Sequence, residues 1–127
     1  SIRGNGFNIL VSKLNSTGEN LWSSEISGKS DKIAKSFSLL NDEKDGFIII
    51  GQLRIKGGQS KILMIKMNQR GKIIWERTYG GNYISEGNSV LDDGTGLVVM
   101  GNHDIDSNGN SEIIFFKTDY DGKIISD

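Results

Sequence analysis

The sequence predicts an all-β chain built from repeated four-stranded antiparallel units, and three observations predict it. One pattern occurs almost three times: NILVSKLNSTGENLW from Asn8 to Trp22, KILMIKMNQRGKIIW from Lys61 to Trp75, and EIIFFKTDYDGKIIS from Glu112 to Ser126. Each copy is an apolar run, a Lys, a polar turn ending in Gly, and a second apolar run. The Lys-to-Gly spacing is the same from Lys13 to Gly18, Lys66 to Gly71 and Lys117 to Gly122. The intervening half repeats as well: GFIIIG, Gly46 to Gly51, matches GLVVMG, Gly96 to Gly101, and Ser38 to Asp42 matches Ser89 to Asp93. Finally, 17 Gly and no Pro among 127 residues suit many tight turns between short strands.

The pattern places the strands of the first unit at about 7–14, 20–27, 33–41 and 46–54. Those of the second fall at about 61–68, 72–79, 85–92 and 96–103, and a third unit begins at about 112–118 and 122–126. Thr17-Gly18, Arg70-Gly71 and Asp121-Gly122 supply the positive φ that hairpin turns between antiparallel strands require. Asp45-Gly46 and Asp93-Gly94 do the same between the third and fourth strands of a unit. Lys32 to Leu40 can be drawn as a helix, but its Gly- and Ser-rich counterpart in the second unit argues for a strand.

Apolar residues run together rather than alternate at Ile48 to Ile50, Leu97 to Met100 and Ile113 to Phe116, which implies strands covered on both faces. A period near 50 with doubly covered strands points to the stacked blades of a β-propeller. The expected fold is therefore a fragment or partial propeller of four-stranded antiparallel blades, with about two and a half blades in a single segment, residues 1–127. Its units cover about 7–55, 61–106 and an incomplete 112–127. Closed propellers have roughly four to eight blades, so the ring is completed either by the remainder of a longer propeller or by self-association.

Composition narrows the function classes. A formal net charge of −1 with both signs interspersed gives no electrostatic footprint for nucleic acid. Apolar runs of four or five residues fall far below the roughly 20 of a spanning helix, so no membrane insertion is expected. The absence of Cys removes disulfides, thiolate zinc sites and Cys nucleophiles together. Ser1 to Leu10 holds no basic segment followed by a long apolar one, and the chain begins without Met, as a mature product or an excised piece would. Asn15-Ser16-Thr17 is a glycosylation sequon of the kind that chance often produces.

Lys66-Met67-Asn68, Gly71 to Trp75, Gly80-Gly81 and Asp92-Asp93-Gly94 together resemble the propeller repeat related to pyrroloquinoline-quinone-binding proteins, in the form found in bacterial and archaeal surface proteins. The resemblance covers essentially the whole chain and implies an extracellular or cell-surface setting. Two departures stand out. Ser126 occupies the third Trp position, and the Asn15–Gly18 and Asn68–Gly71 turns are one residue shorter than the quinoprotein tryptophan-docking pattern.

Few residues invite chemistry. Trp22 and Trp75 can stack a ring cofactor or, more simply, pack between blades. The loop from Asp104 to Glu112 sets Asp104, Asp106, Asn108, Asn110 and Glu112 around Gly109, an oxygen-rich spacing suited to calcium; the other reading is a solvated connection. An EF-hand fits poorly there, since its bidentate Glu position falls on Phe115 and no helices flank the loop. His103, the one His, has no Ser or Cys partner at catalytic spacing. Lys13, Lys66 and Lys117 recur once per unit as side chains at strand ends, or as a cationic rim. The expected function is a non-enzymatic binding or scaffold module with a protein or glycan ligand. The alternatives are a calcium-dependent adhesion module and part of a quinone-dependent dehydrogenase.

Overall fold

The structure, a computed structural model, describes residues 8–28, 31–39, 46–55, 58–80, 84–104 and 109–125. Nine strands run through them: β1 (Ile9–Leu14), β2 (Asn20–Ile26), β3 (Asp31–Leu39), β4 (Gly46–Arg54), β5 (Ser60–Asn68), β6 (Ile73–Tyr79), β7 (Ile84–Asp92), β8 (Leu97–Asp104) and β9 (Ser111–Thr118). None of the described residues is helical, and the ambiguous stretch after Asp31 is strand β3. The strand expected over 122–126 is reduced to one bridge, Thr118 to Ile124.

Hydrogen bonding divides the chain differently from the repeat. β1 and β2 form a hairpin of their own; β3-β4-β5-β6 is one antiparallel meander and β7-β8-β9 a second. The two meanders meet at a single parallel bridge, Ser60 to Ile84. Sheets are thus offset from the sequence unit by two strands, because β2 and β3 share no ladder while β4 and β5 pair along their whole length. The described sheets do not close on themselves.

The hairpin turns explain the offset. Asn15, Asn68 and Asp119 each accept, at the side-chain oxygen, two backbone N–H groups, from the residues two and four positions on, at 2.9–3.0 Å. Their own carbonyls accept from the N–H of Gly18, Gly71 and Gly122. These are three-residue hairpin loops, with the Gly in the left-handed region at φ 88, 83 and 83 as the expected Gly turns require. Such a turn locks its flanking strands into a pair, so β1–β2 and β5–β6 are fixed locally.

Two apolar layers stack the sheets. Ile9 and Ile26 of the first hairpin pack on Ile49, Leu63, Ile65 and Met67 of the first meander. The opposite face of that meander, with Ile48, Ile50, Ile62 and Met64, packs on Val90, Leu97 and Val99 of the second. Burying an aliphatic side chain of this size contributes about 1.5–3 kcal/mol, so these layers dominate cohesion. The expectation that every apolar run is covered twice holds for Ile48 to Ile50 and fails at β9. Ile113 and Phe115 are each 75% exposed, because nothing among the described residues covers the outer face of the second meander.

A polar fastening repeats across both layers. Trp22 donates its indole N–H to the Gln69 carbonyl at 3.0 Å, and Trp75 donates to the Tyr120 carbonyl at 3.2 Å. Each ring lies against the turn glycine of the next sheet. A Cβ on Gly71 would sit 2.6 Å from Trp22, and one on Gly122 would sit 3.0 Å from Trp75. Both Trp residues therefore pack between sheets, as the bland sequence reading holds.

Two stability measurements follow. Trp75, only 8% exposed, should cost about 3–5 kcal/mol as Trp75→Ala, and half-buried Trp22 should cost less as Trp22→Ala. Gly71→Ala should cost about 2–5 kcal/mol, from left-handed strain plus a clash with Trp22. Gly18→Ala, with open space around it, should cost only the backbone strain, about 1–2 kcal/mol. Urea unfolding of the four variants checks both orders; equal losses at Gly18 and Gly71 would contradict the dock.

Candidate functional site

The polar candidates are dispersed. In the β8–β9 hairpin, His103 stands opposite Glu112 and Asp104 opposite Ser111. His103 Nε2 lies 3.0 Å from the Glu112 carboxylate, so this expected calcium ligand already faces an imidazole. Asp106 and Asn108, the centre of the expected calcium loop, lie outside the described residues. Among the described residues no three His, Cys, Asp or Glu side chains gather as a metal site would need.

Lys13, Lys66 and Lys117 each engage a partner. Each of the first two stands opposite a Trp across its hairpin, at a register shift: Lys13 opposite Trp22, Lys66 opposite Trp75. From there Lys13 reaches the Gln69 side chain at 3.2 Å and Lys66 the Tyr120 carbonyl at 3.4 Å. Each ammonium thus grips the same turn that its Trp partner docks on. Among the described residues Lys117 reaches no such turn. It bonds Asp93 at 2.9 Å and the Thr95 hydroxyl instead.

That contact changes the acid behaviour of Asp93. The Lys117 ammonium, then the Thr95 N–H and hydroxyl, hold its carboxyl well below the usual carboxylate range. Tyr79 moves the other way: burial pushes its phenol up to about 12, against the Arg77 charge, while its hydroxyl donates to the Gly122 carbonyl at 2.5 Å.

What the structure does assemble is a groove. A cavity of about 580 Å³ opens between β1 and the first meander, lined by Leu10, Leu14, Ala34, Phe47, Ile49 and Gln69 among others. That lies within the roughly 300–1,000 Å³ of ligand sites, and its wall is mainly apolar. Among the described residues β1 pairs with β2 alone, so one edge of β1 runs along this groove unpaired. Its repeat counterpart β5 is paired on both edges, by β4 and β6. Lys13 and Trp22, which the sequence singles out, also line it, whereas Leu10, Leu14, Ala34 and Gln69 carry no chemical signature and sequence reading passed over them. The available signal was the repeat: Leu10 and Leu14 match Leu63 and Met67, which are fully buried, yet are 68% and 55% exposed.

No model of a known protein family matches the chain, and no curated protein matches it either.

The Asp93–Lys117 contact gives a signed pH dependence. A carboxyl held low in the folded state contributes stability that is present above the unfolded value near 3.8 and is lost as pH falls below it. Lys117→Met should therefore lower the melting temperature near neutrality and flatten its decline on acidification below about pH 4. Parallel melting profiles for both proteins would contradict the pairing.

Proposed function

We propose that the chain is a segment of a β-propeller acting as a non-enzymatic binding or scaffold module of a secreted or cell-surface protein. The observation that carries this reading is the mainly apolar groove beside the edge of β1 that no described strand pairs. It is a concave surface whose wall sets Ser12, Lys13 and Lys35 among apolar side chains. The repeated fastening of Trp22 and Trp75 on successive turns supports the propeller architecture, since the same contact joins neighbouring sheets at offsets of 47 and 45 residues. Such stacking gives a rigid frame, and its exposed edges and faces are the natural places to recognise a protein or glycan.

The test pairs two measurements. The labelled protein is applied to peptide and glycan arrays, and it is incubated with calcium, pyrroloquinoline quinone, primary alcohols or aldoses, and a dye electron acceptor. Saturable array retention with no dye reduction above buffer is expected. Quinone-dependent dye reduction would replace this reading with the dehydrogenase one, and retention that requires calcium would replace it with the adhesion one.

A further inference from the structure

We propose that Asn15 is the acceptor for an N-linked oligosaccharide, within the sequon Asn15-Ser16-Thr17. This rests on the secreted or cell-surface setting above and adds a modification that the binding-module reading does not require. The triplet is the one sequon in the sequence, and the fold places it at the β1–β2 turn, where Ser16, Thr17 and Glu19 are exposed. A glycan is bulky and needs such a surface position.

The turn uses one half of the Asn15 side chain and leaves the other. Oδ1 closes the loop. It accepts from the N–H groups of Thr17 and Glu19 at 2.9 Å, and from the Thr17 hydroxyl, shared with Glu19, at 2.8 Å. Nδ2, the atom that carries a glycan, takes no part in closing the loop. Among the described residues its one bond goes to the exposed Glu19 carboxylate, at 3.1 Å. Asp119 shows that this turn needs no amide nitrogen, since its carboxylate accepts the same two backbone N–H groups.

The site does not depend on what precedes β1. Trp22 docks on the turn of Asn68 and Trp75 on that of Asp119, through the next residue's carbonyl and the turn Gly. Both capping residues are nonetheless half-buried, as Asn15 is. A docked indole therefore leaves the capping side chain uncovered. Neither of those turns is an acceptor itself, because Arg70 supplies no hydroxyl and Asp119 no amide.

The local bonds suit the chemistry. Three donors on Oδ1 withdraw electron density through the carbonyl and polarise the Nδ2–H bonds. In the transfer, Nδ2 attacks C1 of an oligosaccharide carried on a polyprenyl diphosphate. An N–C bond forms, the C1–O bond breaks, the polyprenyl diphosphate leaves with that electron pair, and one Nδ2 proton passes to a base. The step is redox-neutral, and the second Nδ2 proton remains for Glu19.

The test expresses the chain behind a cleavable secretion signal in cultured mammalian cells and reads the intact mass before and after peptide-N-glycosidase. An oligosaccharide mass is expected, lost on digestion as Asn15 becomes Asp. Thr17→Ala should abolish it, and so should Asn15→Asp, which keeps the capping oxygen and should still be secreted. The glycosylated chain and the unmodified chain made in bacteria should share one urea midpoint, since Nδ2 closes no part of the turn. A secreted chain of unmodified mass, an added mass that survives Asn15→Asp, or a glycan that lowers the midpoint would each overturn the proposal. Array retention by a chain that takes no glycan would end this site alone. A glycan without array retention would end the binding-module reading and leave the site standing.

Discussion

An indole packed against a glycine turn, with its N–H on that turn's carbonyl, is the contact on which the rest of this molecule depends. The turn must hold a residue with positive φ and no side chain, or the ring cannot approach. Gly71 and Gly122 meet both conditions. The Trp must project from the strand after the previous turn, opposite a Lys at a register shift, so that ring and ammonium reach the same loop. A hairpin with this arrangement presents a dock on its turn and a plug on its second strand, so each sheet fastens to the next. The apolar layers supply most of the cohesion between sheets, but they are non-directional. The dock fixes the register of one sheet on another.

A second fastening joins the two meanders. Gln52, Ser60 and Ser85 form a buried network at the parallel bridge. The Ser60 hydroxyl donates to the Ser85 carbonyl at 2.7 Å and accepts from the Ser85 N–H at 2.8 Å and from Gln52 at 3.0 Å. Every polar atom of that hydroxyl is used, so the burial carries no unpaired-group penalty. Lys32 does comparable service between the first hairpin and the first meander. Its nearly buried ammonium bonds the Ser27 carbonyl and the Glu76 carboxylate. Stripping either partner would leave a buried charge, which is costlier than the pair's net contribution.

Much of this was legible in the sequence, for a physical reason. Turn chemistry is local, so Asn-x-x-Gly and Asp-x-x-Gly announced the hairpins, and the strands fall within a few residues of where the periodicity put them. The packing role of both Trp residues followed from their identical placement after a turn. Sheet boundaries were not legible, because β2–β3 and β4–β5 look alike as linear connections and only the ladder tells them apart. The role of Lys13 and Lys66 was hidden for the same reason: their partners lie about fifty residues away, on the next turn. Exposure at Ile113 and Phe115 was misread because an apolar run encodes what a strand is suited to touch, not whether the neighbour is there. At one flank of the acidic loop, Glu112 meets His103, a pairing across the β8–β9 ladder that the linear spacing does not show.

The central claim is that the turn glycines of β5–β6 and of the segment after β9 carry an indole ring, while that of β1–β2 does not. The most direct measurement is the proton chemical shift of the three turn glycines. Ring currents should move one Hα of Gly71 and one Hα of Gly122 well upfield, since the Trp rings occupy the space a Cβ would take. Gly18, with nothing near that position, should stay near the unstructured value. Trp22→Leu should return Gly71 alone, and Trp75→Leu should return Gly122 alone. Three unshifted glycines, or shifts insensitive to the Trp substitutions, would contradict the account.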